Sequence, residues 1–164
     1  MTPMVCIASA DRNIWIKVVG RGNFQCSPCL KNLVQEQSAQ GSHEYTIDLA
    51  ECEQLDSTFM GTLTGIAQRL KKKKEGSLRV INVSESNQQL MKNLGLDQLF
   101  LIRSITEGRE LPPVATQEKF SQVVEPSCAS KKTFEETVRS AHEALVIANK
   151  ENAPKFENLL EIIK

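Results

Sequence analysis

The chain is short of most of what an enzyme or a nucleic-acid-binding protein displays. Its 20 Lys and Arg are matched by 20 Asp and Glu across 164 residues, so no net field gathers phosphate backbones or an anionic membrane surface. Neither nucleic acid nor a membrane is expected as a partner. No run approaches the roughly 18 apolar residues of a spanning helix, and Met1 to Ala10 lacks the basic and apolar regions of a signal peptide. A cytoplasmic location is expected. There is no glycine-rich phosphate loop. There are two histidines, with no Ser or Cys partner at a recognisable spacing, and His142 is placed on the outer face of a late helix. Cys6, Cys52, Cys128, His43 and His142 form no second ligand pair at metal spacing. The expectation is no catalytic residue, no metal and no cofactor.

Five cysteines are an odd number, which in a reducing compartment points to free thiols. Cys26-Ser27-Pro28-Cys29 precedes a helix, where free N–H groups and the macrodipole can stabilise a thiolate. A hairpin precedes it, no Trp or Gly adjoins it, and no cis-proline loop is recognisable downstream. Packing and capping by small residues is the favoured reading over redox or metal chemistry.

What is present is a regular alternation of elements. Val5 to Ala8 and Ile14 to Val19 read as a hairpin turning at Ala10 to Asn13. Ser27 then caps a helix from about Pro28 to Ala39, with proline at its first position. Tyr45, Ile47 and Leu49 alternate with Thr46 and Asp48 as a strand. Ser57 is the expected N-cap of a helix carrying Met60, Leu63, Ile66, Ala67 and Leu70, and Lys71 to Lys74 form its solvated end. Leu78 to Val83 is a strand, Ser84 caps a short helix, and Gly95 supplies a left-handed stop. Leu101 to Ser104 is an edge strand. Because parallel crossovers are right-handed, the order implies an α/β fold, a mixed sheet with a helical layer.

After Thr106 the texture changes. Residues 106–131, with Pro112, Pro113 and Pro126, read as a linker between a domain over 1–105 and a helical extension over 132–164. Thr133 and Glu136 have capping-box spacing, and Phe134, Val138, Ala141, Leu145 and Ala148 make one apolar stripe. That stripe must pack on its own domain, on a second copy or on a partner.

Asp56-Ser57-Thr58 is locally an ordinary helix cap. Its surroundings add more: Ile47-Asp48-Leu49, then Leu55-Asp56-Ser57-Thr58 with Gly61 and Leu63, then Val80 to Ser84, then Asn93 to Phe100. Together these resemble a STAS domain, the superfamily of bacterial anti-sigma factor antagonists and sulfate-transporter tails, over about residues 5 to 105. The resemblance implies a mixed sheet with helices mainly on one face. It also implies a non-catalytic phosphoprotein of signal transduction and transcription regulation. Ser57, or Thr58 as fallback, would be phosphorylated by a serine-kinase anti-sigma factor and reset by a serine phosphatase. Asn23, Asp56, Phe59, Met60, Gly61 and Ser84 would form the docking surface. Phe59 stands where the family commonly has glycine, and Asn23 where it has an acid. The alternative is a signalling scaffold assembling, as a homo-oligomer, through the C-terminal helices.

Overall fold

The computed structural model describes residues 3–41, 43–112, 120–124 and 131–162. Strands β1 (Met4–Ala10) and β2 (Asn13–Gly22) form the expected hairpin, with Asp11 in the left-handed region at the turn (φ 54°). Helix α1 (Ser27–Ser38) leads to β3 (His43–Asp48), the short β4 (Cys52–Leu55) and α2 (Ser57–Lys73). Then come β5 (Gly76–Val83), α3 (Glu85–Asn93) and β6 (Leu101–Ser104). The chain continues through β7 (Ser121–Val124), α4 (Lys131–Ala148) and α5 (Ala153–Ile162). The strands lie in the order β6-β5-β3-β2-β1-β7, and β4 pairs with the far half of β2. Pairing is parallel among β2, β3, β5 and β6 and antiparallel on either side of β1, the mixed sheet that the sequence implies.

Alternation along the strands sorts the two faces. Ile14, Ile16 and Val18 of β2 and Tyr45 and Ile47 of β3 join Leu30 and Val34 of α1, Leu63 and Leu70 of α2 and Met91 of α3 in one core. Each fully buried Leu or Ile stabilises by roughly 1.5–3 kcal/mol, so this face defines the fold. On the opposite face the Trp15 indole N–H donates to Asp48 (3.1 Å), and Asn82 donates to Asp48 (2.9 Å) and to the Glu110 carbonyl (2.8 Å). Asn82 sits at φ 57°, which breaks the period of two so that Val80 and Val83 both reach the core.

The region read as a linker is tied to this frame. Glu110 pairs with Arg79 at 3.0 Å and its N–H donates to Asn82 (2.8 Å), while β7 extends the sheet beside β1. Residues 113–119 and 125–130 of that region lie outside the described residues. The helical extension packs on its own domain: α4 runs along α2 in the most extensive helix–helix contact of the fold, and Leu145 is fully buried in the common core. Helix α4 begins at Lys131, two residues ahead of Thr133.

Two further caps differ from expectation. The residue before α1 is Cys26, without a side-chain cap, and the Ser27 hydroxyl donates back to the Asn23 carbonyl (3.2 Å). At α2 the capping side chain belongs to Asp56, one residue before Ser57. A carboxylate offers two acceptors where a hydroxyl offers fewer well-placed ones, and here both are used.

Candidate functional site at the start of α2

Strand β4 delivers the chain to Asp56, whose extended backbone (φ −96°, ψ 169°) turns into α2. One carboxylate oxygen accepts from the Phe59 N–H (2.7 Å) and the other from the Phe24 N–H (3.1 Å). One side chain thereby closes the first turn of α2 and fastens the Asn23–Phe24 loop to it. Burial pushes the Asp56 carboxyl above its usual range, against the opposing pull of these N–H groups and of nearby His142. Asn23 orders the same loop, accepting from the Gln25 N–H through its side chain (3.0 Å).

Ser57 is the first residue of α2, half-buried, with its hydroxyl 2.8 Å from Nε2 of His142 on α4. The Nδ1 atom of His142 lies 2.6 Å from the Val138 carbonyl. A carbonyl can only accept, so Nδ1 carries a hydrogen, and Nε2 shares the hydrogen bond with the Ser57 hydroxyl. His142 is 1% exposed, contrary to its expected outer position, and packs edge-on against Phe156 of α5 with centroids 4.7 Å apart.

A hydroxyl, an imidazole and an orienting acceptor are the parts of a nucleophilic pair. The Asp56 carboxylate, however, is taken up by two backbone N–H groups and does not hold His142. The groove of about 520 Å³ between α1, α2 and α4 is lined by residues such as Lys31, Gly61, Arg69 and Ser140, and neither Ser57 nor His142 borders it.

The other expected docking residues part company. Phe59 is 0% exposed and enters the core, while Met60 and Gly61 lie buried beside it, so none of the three offers a side chain to a partner in this form. Gly61 is required by α4, because a β-carbon there would run into the Ala141 carbonyl oxygen. Thr58 is buried. Ser84 caps α3 by accepting from the Asn87 N–H (3.2 Å) and has no hydrogen bond to the Asp56–Ser57 cluster. Beside Ser57, the partly exposed rings of Phe24 and Phe134 stack edge to face at 5.0 Å.

At Cys26-x-x-Cys29 the thiols are free, and burial raises both, that of Cys26 to about 11. A thiol raised that far is protonated at neutral pH, the opposite of an activated redox cysteine. Among the described residues no group of three or more His, Cys, Asp or Glu side chains is placed to hold a metal. Likewise, no helix among them is long and apolar enough to cross a membrane.

The family model described as "Mlab, STAS domain" matches residues 6–103. The chain belongs to the STAS family. Its STAS domain resembles the crystal structure of a Thermotoga maritima protein assigned as an anti-sigma factor antagonist, at 17% identity and a TM-score of 0.54, covering 62% of this chain and 87% of that one. It also resembles an anti-sigma factor antagonist from Mycobacterium paratuberculosis, at 20% identity and a TM-score of 0.54, covering 62% and 86%. At these identities the likeness establishes the fold. No curated protein sequence matches the chain. Helices α4 and α5 lie beyond the matched STAS residues.

Proposed function

We propose that the protein is a non-catalytic anti-sigma factor antagonist, controlled by phosphorylation of Ser57 and acting in a bacterial cytoplasm on a serine-kinase anti-sigma factor. The observation that carries this reading is Ser57 itself, half-buried and set by the Asp56 cap at the first position of α2 in a STAS fold. Structural neighbours assigned as anti-sigma factor antagonists support it. A phosphate there adds roughly 1.5 to 2 negative charges where the helix N-terminus favours an anion. Helix α2 therefore survives modification, and the change is felt at the surface, where charge beside Asp56 opposes an acidic or apolar partner. The docking surface consists of Asn23, Phe24, Asp56 and Ser57, with Ser84 on a neighbouring turn. Phe59 contributes from below by fixing the first turn. A serine phosphatase resets the switch.

The test is a pull-down of serine-kinase anti-sigma factors from the native cell with phosphosite mapping. Ser57→Ala is expected to bind without being phosphorylated, and Ser57→Asp to bind weakly. Equal capture by wild type, Ala and Asp variants would overturn the reading. The scaffold alternative needs a free apolar face on the C-terminal helices. Val138, Ala141 and Leu145 are buried within the chain while Phe134, Ile147 and Ile162 stay exposed, so sedimentation of the full chain against residues 1–105 separates the two readings.

A further inference from the structure

The switch serine of this chain already has an occupant. The Ser57 hydroxyl is hydrogen-bonded to Nε2 of a histidine that is 1% exposed, and that histidine is held from behind by the Val138 carbonyl (2.6 Å). Helix α4, which carries it, is seated by close approach at Gly61, by Ala144 over Gly65, and by Gln68 donating to the Ala144 carbonyl (3.1 Å). A helix held by backbone-to-backbone contact has little latitude to shift by a fraction of an ångström. The space between Ser57 Oγ and His142 Nε2, 2.8 Å, admits a proton and nothing larger. A tetrahedral phosphate on that oxygen does not fit within the 2.8 Å approach of the His142 ring. The N-terminus of α2 favours the anion, while the packing of α4 at Gly61 and its bond from Gln68 leave it no room beside Ser57 to accept one.

We propose that a docked α4 and an anionic Ser57 exclude each other, so that the C-terminal helix is an internal competitor for the docking face of the STAS domain. This rests on Ser57 being the modified residue. Coupling of this kind is reciprocal. Docked α4 shields Ser57 from modification, and an anion at Ser57 releases α4, changing the surface far more than the phosphate alone does. The tail is then the moving part of the switch, and the sheet is its frame.

The test uses the full chain and hydrogen exchange read peptide by peptide, with no kinase present. Ser57→Glu is expected to speed exchange in the Phe134–Ala148 segment at least about tenfold over wild type, while β2, β3 and β5 keep their protection and Ser57→Ala stays near wild type. Exchange in α4 that is unchanged in Ser57→Glu would overturn the proposal. So would slower exchange, because it would mean that a protonated His142 clamps the anion. If Ser57→Glu loosens the sheet as well, a second arm decides: Ser57→Cys is labelled with a maleimide, with and without Leu145→Ala. Labelling at position 57 about tenfold faster in the Leu145→Ala background supports the competition, and an unchanged rate rejects it. A chain that passes here yet captures no kinase loses the sigma-factor reading and keeps the latch, and the converse result loses only the latch.

Discussion

Helices α2 and α3 begin alike and end up in different circumstances. Each follows a parallel strand, and each opens on an extended residue whose side-chain oxygen accepts from the N–H three residues on. Ser84 does this at α3 in partial contact with solvent, with a second hydroxyl, Ser86, 3.3 Å away. Asp56 does it at α2 beside Ser57, whose hydroxyl meets His142 of α4. Local chemistry built two similar turns, and a helix beyond the matched STAS residues brought His142 onto one of them.

The comparison breaks most readily at Leu145. It is fully buried where α4 meets the core, so Leu145→Ala is expected to cost about 2–5 kcal/mol in urea denaturation. On α3, Leu90 is 45% exposed, and Leu90→Ala should stay within roughly 0.5 kcal/mol. Equal small effects would mean that the tail contributes no stability to the sheet. The two glycines of α2 sharpen the contrast within one helix. Gly61→Ala drives a methyl into the Ala141 carbonyl and should destabilise by roughly 1–3 kcal/mol. At Gly65 a β-carbon would sit 3.7 Å from that of Ala144, an ordinary contact, so Gly65→Ala should gain up to about 1 kcal/mol from helix propensity alone. A gain at both positions would show that α4 does not lie close along α2.

The caps act more locally than the α4 contacts. Asp56→Ala is expected to cost about 1–2 kcal/mol, since two N–H groups lose their acceptor, and Ser84→Ala about 0.5–1 kcal/mol. Asp56 also leaves a trace in the pH dependence. Its carboxyl is raised in the folded state, so the folded chain binds more protons than the unfolded one from its ordinary value of 3.8 up to the raised one. Stability therefore falls as pH rises through that window and levels off above it. Asp56→Asn keeps an acceptor without the charge, and its denaturation midpoint relative to wild type should rise over the same window. A shift of opposite sign would place the carboxylate in a site that favours its charge.

Much of this architecture was legible because it rests on periodicity. Tyr45, Ile47 and Leu49 alternate as a strand should, and Gly95 takes the left-handed conformation (φ 78°) after α3 that a stop signal there implies. Strand β4 was not legible, since Cys-Glu-Gln-Leu shows its two buried ends only once it lies beside β2. The choice of cap was ambiguous because Asp56 and Ser57 are both good capping residues. The second donor, from Phe24, lies 32 residues away and favours the acid. The union of Ser57 and His142 spans 85 residues, and no spacing rule reaches that far. A signal for the histidine did exist: it stands four residues after Val138 and next to Ala141, on the flank of the apolar stripe, a position that a docked helix buries.

At the far end of α4, one nitrogen does work of a different kind. The Asn152 side-chain amide is fully buried and donates to the carbonyls of both Leu145 and Leu94, at 2.8 and 2.9 Å. It bolts the end of the tail to the end of α3, away from the serine, with no group that a kinase could alter. A tail released at Ser57 would stay tethered there, and its return to α2 would be an intramolecular event. Short tethers of that sort give effective concentrations on the order of millimolar. Any external protein that takes the α2 face must therefore bind tightly enough to win against a competitor that never diffuses away.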